Sequence, residues 1–143
     1  MTNKLPPFHL AIPVTDKSLA HEFYTNILGC SVGRQDEKWI DFNFFGHQLV
    51  AHLISEPNLD VETNSVDGEH VPSRHFGIIM QMTDWEELIE HLKNKEISFY
   101  IQPQVRFKGS AGEQSTFFIK DPFGNAIEFK TFKDQGRIFD ISS

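Results

Sequence analysis

The hydrophobic pattern of the chain occurs twice. Two apolar runs, residues 7–14 and 74–81, each carry a histidine near the start, His9 and His75, with a small residue two positions later. Alternate side chains of a strand share a face, so each histidine would lie beside Ala11 or Gly77 and leave space next to an imidazole. Each run is followed by a segment with helical spacing that opens on an acidic residue. The pattern predicts an internal repeat in which each half begins with a strand and a helix.

The two helices are placed by their inward-facing residues. The first is predicted from about residue 16 to residue 28 and ends at Gly29, with inward positions Leu19, Phe23 and Ile27. The second is predicted to be capped near residues 83–84, with inward positions Trp85, Leu88 and Leu92.

Three strand-like runs follow each helix, so both halves have the order βαβββ. The predicted strands are 30–34, 39–44 and 48–54 in the first half, and 98–101, 115–120 and 126–132 in the second, with a loop at 104–114. The predicted fold class is therefore α+β. Two βαβββ modules related by a pseudo-twofold axis would form a curled sheet around a shared metal-binding cavity.

The length of 143 residues fits a single domain, 1–143. Module one spans about residues 7–54 and module two about 73–132. The polar stretch between them, about 55–72, contains Pro, Asn, Asp and Gly without periodicity and is predicted to be a linker or a lid. Residues 133–143 are predicted to form a loosely held C-terminal tail.

Charge and composition restrict the partners. The net charge of −7 opposes binding to phosphate backbones and argues against nucleic acid. No apolar run has membrane-spanning length and the N-terminus lacks an apolar leader, so we expect a cytoplasmic protein that does not bind membranes. A single cysteine excludes an internal disulfide. The edges of such sheets can pair with a second copy, so a homodimer is compatible with the pattern.

Four ionisable residues fall at corresponding places of the two modules. His9 and His75 open the first strands, and His52 and Glu128 lie on the last strands. Ile127 and Phe129 would face the helix, which turns Glu128 toward the cavity, where a carboxylate is costly unless it is paired or bound to a metal. Two imidazoles and one carboxylate form the ligand set of non-heme Fe(II) oxygenases, which also suits Mn, Zn or Ni.

The role of His52 stays open at this point. It could be a fourth ligand, an acid/base group or a packed histidine, and Gln48, on the same face, competes for the ligand role.

The arrangement of His9, His75 and the turn of residues 121–125 leading to Glu128 resembles the vicinal oxygen chelate superfamily. That superfamily includes glyoxalase I, extradiol ring-cleaving dioxygenases, fosfomycin-resistance thiol transferases and bleomycin-resistance proteins. The resemblance covers about residues 7–132, and residues 39–52 look like a bacterial branch of predicted extradiol-type dioxygenases. It implies that His9, His75 and Glu128 are the metal ligands. Glyoxalase I has a glutamate near the position of His52, and no acidic residue lies on that strand here.

The resemblance implies a metal-dependent enzyme acting on a small-molecule substrate. We expect an Fe(II) extradiol-type dioxygenase that cleaves a catecholic or enediol-like compound, with His52 transferring a proton. The alternatives are a glyoxalase-like isomerase or lyase with a divalent metal, and an aromatic drug or metabolite binding protein without turnover. Tyr100, Arg106 and Phe107 are further candidates for substrate binding, but the pattern favours a buried tyrosine and a solvated loop as their explanation.

Overall fold

The computed structural model describes residues 4–56, 62–66 and 68–141. The chain divides into two compact units. The first comprises Met1–Leu59 with Asp121–Asn125, and the second comprises Asp60–Lys120 with Ala126–Ser143. Among the described residues, no helix combines the length and the apolar composition that a membrane crossing requires.

The first unit has the predicted order of one strand, one helix and three strands. Its elements are β1 (His9–Val14), α1 (Lys17–Glu22) continued by a π-helical turn (Phe23–Ile27), β2 (Ser31–Asp36), β3 (Trp39–Phe44) and β4 (His47–Leu53). The sheet order is β1-β4-β3-β2, with β1 parallel to β4 and the other pairs antiparallel. The βαβββ prediction is confirmed for this unit.

The first helix changes its winding midway. Asp16 caps α1 by accepting a hydrogen bond from the backbone N–H of Leu19, and Gly29 ends the segment with φ +73°. The prediction that Leu19 faces inward is wrong, since it is 45% exposed, whereas Phe23 and Tyr24 are buried. A π-helical turn has more residues per turn than an α-helix, so inward positions no longer follow the 3.6-residue period.

The second unit repeats the same connectivity after a hairpin. Its elements are β5 (Thr63–Val66), β6 (Glu69–Pro72), β7 (Phe76–Ile79), α2 (Met82–Asn94), β8 (Ile101–Arg106), β9 (Gln114–Lys120), β10 (Ala126–Phe132) and a 3-10 turn (Gln135–Arg137). The main sheet has the order β7-β10-β9-β8, and β5 pairs with β6. The α+β class and the repeated βαβββ design are therefore confirmed. The hairpin occupies part of the predicted linker, of which residues 57–61 and 67 lie outside the described residues.

Helix α2 covers one face of the second sheet. The indole N–H of Trp85 donates to the carbonyl of Phe129 at 2.9 Å, and its ring lies 5.7 Å from that of Phe117. Ile89 is buried and the predicted Leu88 is only half-buried, so the inward positions differ by one residue. The opposite face carries an apolar cluster of Val71, Ile101, Phe118 and Ala126.

Strand β8 differs from the prediction. The strand expected at 98–101 begins at Ile101 and continues to Arg106, which the sequence pattern places in a loop. Its pairing with β9 shifts between Ile101 and Gln104. Arg106 is only 4% exposed, so its interpretation as a solvated loop residue is wrong.

The turn that precedes β10 is held by a buried carboxylate. Asp121 accepts hydrogen bonds from the phenol of Tyr24 at 2.7 Å, from the backbone N–H groups of Phe123 and Asn125, and from the Asn125 side chain. Burial raises the pKa of Asp121 despite these donors, which favour its ionised form. This turn supplies the chain reversal that brings β10 beside β9.

Candidate metal centre

An imidazole and a carboxylate meet in the second unit at the edge of β7. The pairing of Gly77 with Glu128 aligns the two strands, and His75 precedes β7. His75 Nε2 lies 3.2 Å from Glu128 Oε1, and His75 Nδ1 lies 2.7 Å from the carbonyl oxygen of Pro72. Because a carbonyl only accepts, Nδ1 carries a proton, and Nε2 is the nitrogen that faces the carboxylate. Two atoms that can each bind a cation therefore lie within 3.2 Å of each other.

The carboxylate is buried and well supported. Glu128 is 7% exposed, accepts a 2.5 Å hydrogen bond from Thr116 Oγ1, and has the Lys130 ammonium 3.5 Å from Oε1. Burial raises the pKa of Glu128, but the hydrogen bonds with His75 and Thr116 and the charge of Lys130 outweigh burial and lower the pKa below its ordinary value. The carboxylate is therefore kept ionised.

The pKa of His75 shifts in the opposite direction to that of Glu128. The hydrogen bond to Glu128 raises the pKa of His75, and burial opposes this only in part. In the protein as described, a proton on Nε2 compensates the carboxylate. A divalent cation between the same two atoms would make the same compensation, so this pair fits a metal.

The space expected beside His75 is filled by backbone. A Cβ atom at Gly77 would lie 1.6 Å from the carbonyl oxygen of Glu128. The absence of a side chain at Gly77 lets β7 approach β10. The prediction that this absence leaves room for a ligand is therefore wrong. A pocket of about 200 Å³ opens instead beside His75, Glu128 and Lys130.

The first unit holds the other histidine in a similar way. His9 Nδ1 lies 2.7 Å from Gln48 Oε1, and Gln48 Nε2 donates to Asp41 Oδ2 at 3.2 Å. Since the amide nitrogen faces Asp41, the amide oxygen accepts from His9 Nδ1–H and leaves Nε2 as the acceptor nitrogen. Gln48 thus orients the imidazole of His9. This role differs from that of a metal ligand, for which the sequence offered Gln48 as an alternative to His52.

The strand register distinguishes His52 from Glu128. In the first unit Ala11 pairs with Val50 and Pro13 with His52, whereas in the second Gly77 pairs with Glu128. The counterpart of Glu128 is therefore Val50, and the expectation that His52 occupies the corresponding place is wrong. His52 is exposed and lies four residues along β4 from Gln48, about 13 Å.

The structure thus brings His75 and Glu128 together in one unit, and places His9 beside Gln48 rather than His52 in the other. Within each unit taken alone, the described residues include no three His, Cys, Asp or Glu side chains grouped as a metal site. Sequence reasoning missed the supporting residues Thr116 and Lys130. Lys130 follows Glu128 by two residues on the same face, which was a usable signal.

Comparisons with known proteins agree with this topology. A profile of the Glyoxalase/Bleomycin resistance protein/Dioxygenase superfamily matches residues 7–129. A solved structure described as a glyoxalase/bleomycin resistance protein/dioxygenase from Alicyclobacillus acidocaldarius is 36% identical, with a TM-score of 0.82, over 97% of this chain and 100% of that one. A search of curated proteins finds no match.

Two more distant structures share the fold. A lactoylglutathione lyase from Agrobacterium tumefaciens is 16% identical with a TM-score of 0.64, covering 97% of this chain and 99% of that one. The fosfomycin resistance protein FosX from Listeria monocytogenes is 18% identical with a TM-score of 0.64, covering 96% and 100%. At this identity the likeness concerns the fold alone.

Proposed function

The chain belongs to the glyoxalase/bleomycin resistance protein/dioxygenase superfamily, and from that premise we propose that it is a metal-dependent enzyme. Most members of this superfamily are metalloenzymes that use divalent metals. The reaction we propose is that of an Fe(II) extradiol-type dioxygenase on a small catecholic or enediol-like compound. The observation that carries the proposal is the 3.2 Å approach of His75 Nε2 to the ionised carboxylate of Glu128.

His9, His75 and Glu128 are the proposed ligands. Each histidine donates its Nδ1 proton to an oxygen, that of Gln48 or of Pro72, so both rings offer Nε2 to a metal. This tautomer is the one that a histidine ligand needs, and it supports each residue within its own unit.

The number of ligands favours oxygen chemistry over the glyoxalase reaction. Val50 stands at the position that corresponds to Glu128, so the first unit offers no carboxylate there. Two imidazoles and one carboxylate leave open positions for a substrate and for O2, whereas a fourth protein ligand would occupy one of them. When bound, the metal would polarise two adjacent substrate oxygens and supply the place at which O2 is activated.

The remaining steps belong to side chains of this chain. Thr116 and Lys130 keep Glu128 ionised and oriented. His52 is the proposed proton-transfer group, because its separation from His9 along the sheet disfavours ligation of the same ion and its exposure leaves it free to exchange protons with solvent.

The ligands are tested by metal binding. Chelator-treated protein is titrated anaerobically with Fe(II) and, separately, with Mn(II), Zn(II) and Ni(II), with calorimetric detection. We expect tight binding by the wild type and its loss in His9→Ala, His75→Ala and Glu128→Ala, whereas His21→Ala, on the surface of α1, serves as the matched control with unchanged affinity. Equal affinity in all four variants would place the metal elsewhere.

The reaction is tested by oxygen uptake. Fe(II)-loaded protein is mixed with a panel of catechols in an oxygen electrode, and consumption of O2 is expected only with compounds that carry two adjacent oxygens. Metal binding without O2 uptake, together with isomerisation of a hemithioacetal, would replace the proposal by the glyoxalase-like alternative. Failure to bind any of the four metals would leave only a ligand-binding role.

A further inference from the structure

Strand β8 carries a group of buried donors that lack acceptors. Arg106 is 4% exposed, yet its Nε and Nη2 have no hydrogen-bond partner among the described residues. The buried amide nitrogen Nε2 of Gln104, two residues earlier, is in the same condition. No ion pair of the described residues includes Arg106.

Burying these donors costs free energy unless hydrogen-bond acceptors or an anion compensate them. A guanidinium taken out of water loses its hydration and needs an anion or several acceptors in return. The unpartnered atoms here are all donors, and they include a permanent positive charge. Their chemistry fits an oxygen anion, with Arg106 supplying two N–H groups of its fork and Gln104 a third donor.

The register shift in β8 puts these donors on the face of Glu128. Ile101 pairs with Phe118 and Gln104 with Thr116, so the shift brings the even-numbered residues to the face that Ile101 occupies. Phe118 and Thr116 in turn pair with Glu128 and Lys130 on β10. The donors and the proposed metal ligand therefore lie on one face of one sheet.

The two groups are separated both along and across the strands of this face. Arg106 pairs with Gln114, four residues along β9 from Phe118, the partner of Glu128. The two backbone positions are thus separated by about 13 Å along the strands and about 10 Å across them. A ligand that engages both groups must therefore extend across this face of the sheet.

We propose that Gln104 and Arg106 bind a carboxylate of the substrate, whose adjacent oxygens are held at the His75–Glu128 end of the same face. The substrate class would then be catecholic or enediol-like acids. The chelating end rests on the proposed function, while the anion site rests on Gln104 and Arg106 alone.

The test uses two probes that differ only in the carboxylate, 3,4-dihydroxybenzoate and catechol. Their dissociation constants are measured by calorimetry on the full chain, both metal-free and loaded with Mn(II). The wild type should bind 3,4-dihydroxybenzoate roughly tenfold or more tightly than catechol, as expected for a charge-assisted hydrogen bond. Arg106→Gln should abolish this preference and leave the affinities for catechol and Mn(II) unchanged.

Two further variants keep the result interpretable. Gln104→Leu removes only the neutral donor and should reduce the preference for 3,4-dihydroxybenzoate by a smaller factor. This variant replaces Arg106→Gln as the test if Arg106→Gln fails to fold. Lys108→Gln, an exposed cation on the adjacent loop, is the matched control and should behave as the wild type.

The outcomes separate the two proposals. If the loaded wild type binds catechol but gains nothing from the carboxylate, or if Arg106→Gln keeps the preference, the anion site is overturned while the proposed function stands. If no metal binds but the metal-free protein still prefers the carboxylate in an Arg106-dependent way, the anion site stands and the proposed function fails. Arg106-dependent binding of inorganic phosphate as tight as that of 3,4-dihydroxybenzoate would assign the site to a free oxyanion and overturn the substrate class.

Discussion

At the scale of single residues, the candidate chemistry depends on which nitrogen of each imidazole carries the proton. His9 is oriented by an amide oxygen and His75 by the backbone carbonyl of Pro72. The hydrogen bond that one ring nitrogen makes to a nearby acceptor determines the tautomer. Every residue has a backbone carbonyl, so the sequence carries no signal for which one accepts a hydrogen bond. For this reason the contact between His75 and Pro72 could not be predicted from the sequence.

Thr116 offers a test of the support around Glu128. Its hydroxyl is fully buried and donates to Oε2, so Thr116→Val should leave the carboxylate less well oriented and lower the affinity for Mn(II) by about 10- to 100-fold, measured by calorimetry. Thr131→Val, an equally buried threonine on β10 without a bond to Glu128, should retain wild-type affinity. Equal losses in the two variants would mean that the hydroxyl of Thr116 has no specific role.

At the scale of elements, the close approach of β7 and β10 depends on the absence of one side chain. Gly77→Ala would force a Cβ into the backbone of Glu128, so we expect the free energy of unfolding to fall by about 1–3 kcal/mol or more, together with weaker Mn(II) binding. Urea denaturation and calorimetry measure the two effects.

Gly112→Ala is the matched control for this substitution. The nearest atom to a Cβ at Gly112 is Ser110 Oγ at 3.9 Å, an ordinary contact, so its stability should stay within about 0.5 kcal/mol of the wild type. If Gly77→Ala were as stable as Gly112→Ala, the two strands could separate without cost, and the tight packing inferred at this position would be wrong.

The elements also show what the sequence could and could not predict. Strong alternation gave the bounds of β3 and β10 correctly, and the fold class followed from the repeat. Strand β8 was missed because Pro103, which lacks an N–H, and nearby Gly109 are typical of loops. A proline is tolerated there because β8 is an edge strand with a register shift. That shift also determines the face of Arg106, which strict alternation from Ile101 assigns to the opposite side.

The pairing across strands sets a similar limit on the site. The sequence identified His75 and Glu128 as candidates, and the structure brings these two together. The sequence could not fix the register of β4 against β1, where a shift of two residues exchanges Val50 for His52 as the counterpart of Glu128. Register is a property of strand pairing and has little local signal when both candidates lie on the same face.

At the scale of the whole molecule, a metal held by the folded chain must also stabilise it. Binding to the native state alone contributes RT ln(1 + [metal]/Kd), about 2.7 kcal/mol at a hundredfold excess over Kd. For a domain of this size, that corresponds to a rise in Tm of roughly 5–10 °C. Mn(II) should therefore raise the Tm of the chelator-treated wild type by this amount in calorimetric unfolding, and the shift should disappear in Glu128→Ala.

The same measurement decides the role of His52. If His52 transfers protons and does not bind the metal, His52→Ala should show the full Mn(II)-induced rise in Tm and lose only the rate of O2 uptake by the Fe(II)-loaded protein. A His52→Ala protein that no longer responds to Mn(II) would make His52 a ligand. The first unit would then contribute its metal-binding side chains from two positions about 13 Å apart along the sheet, and strand β4 would have to pair differently from the register described for it.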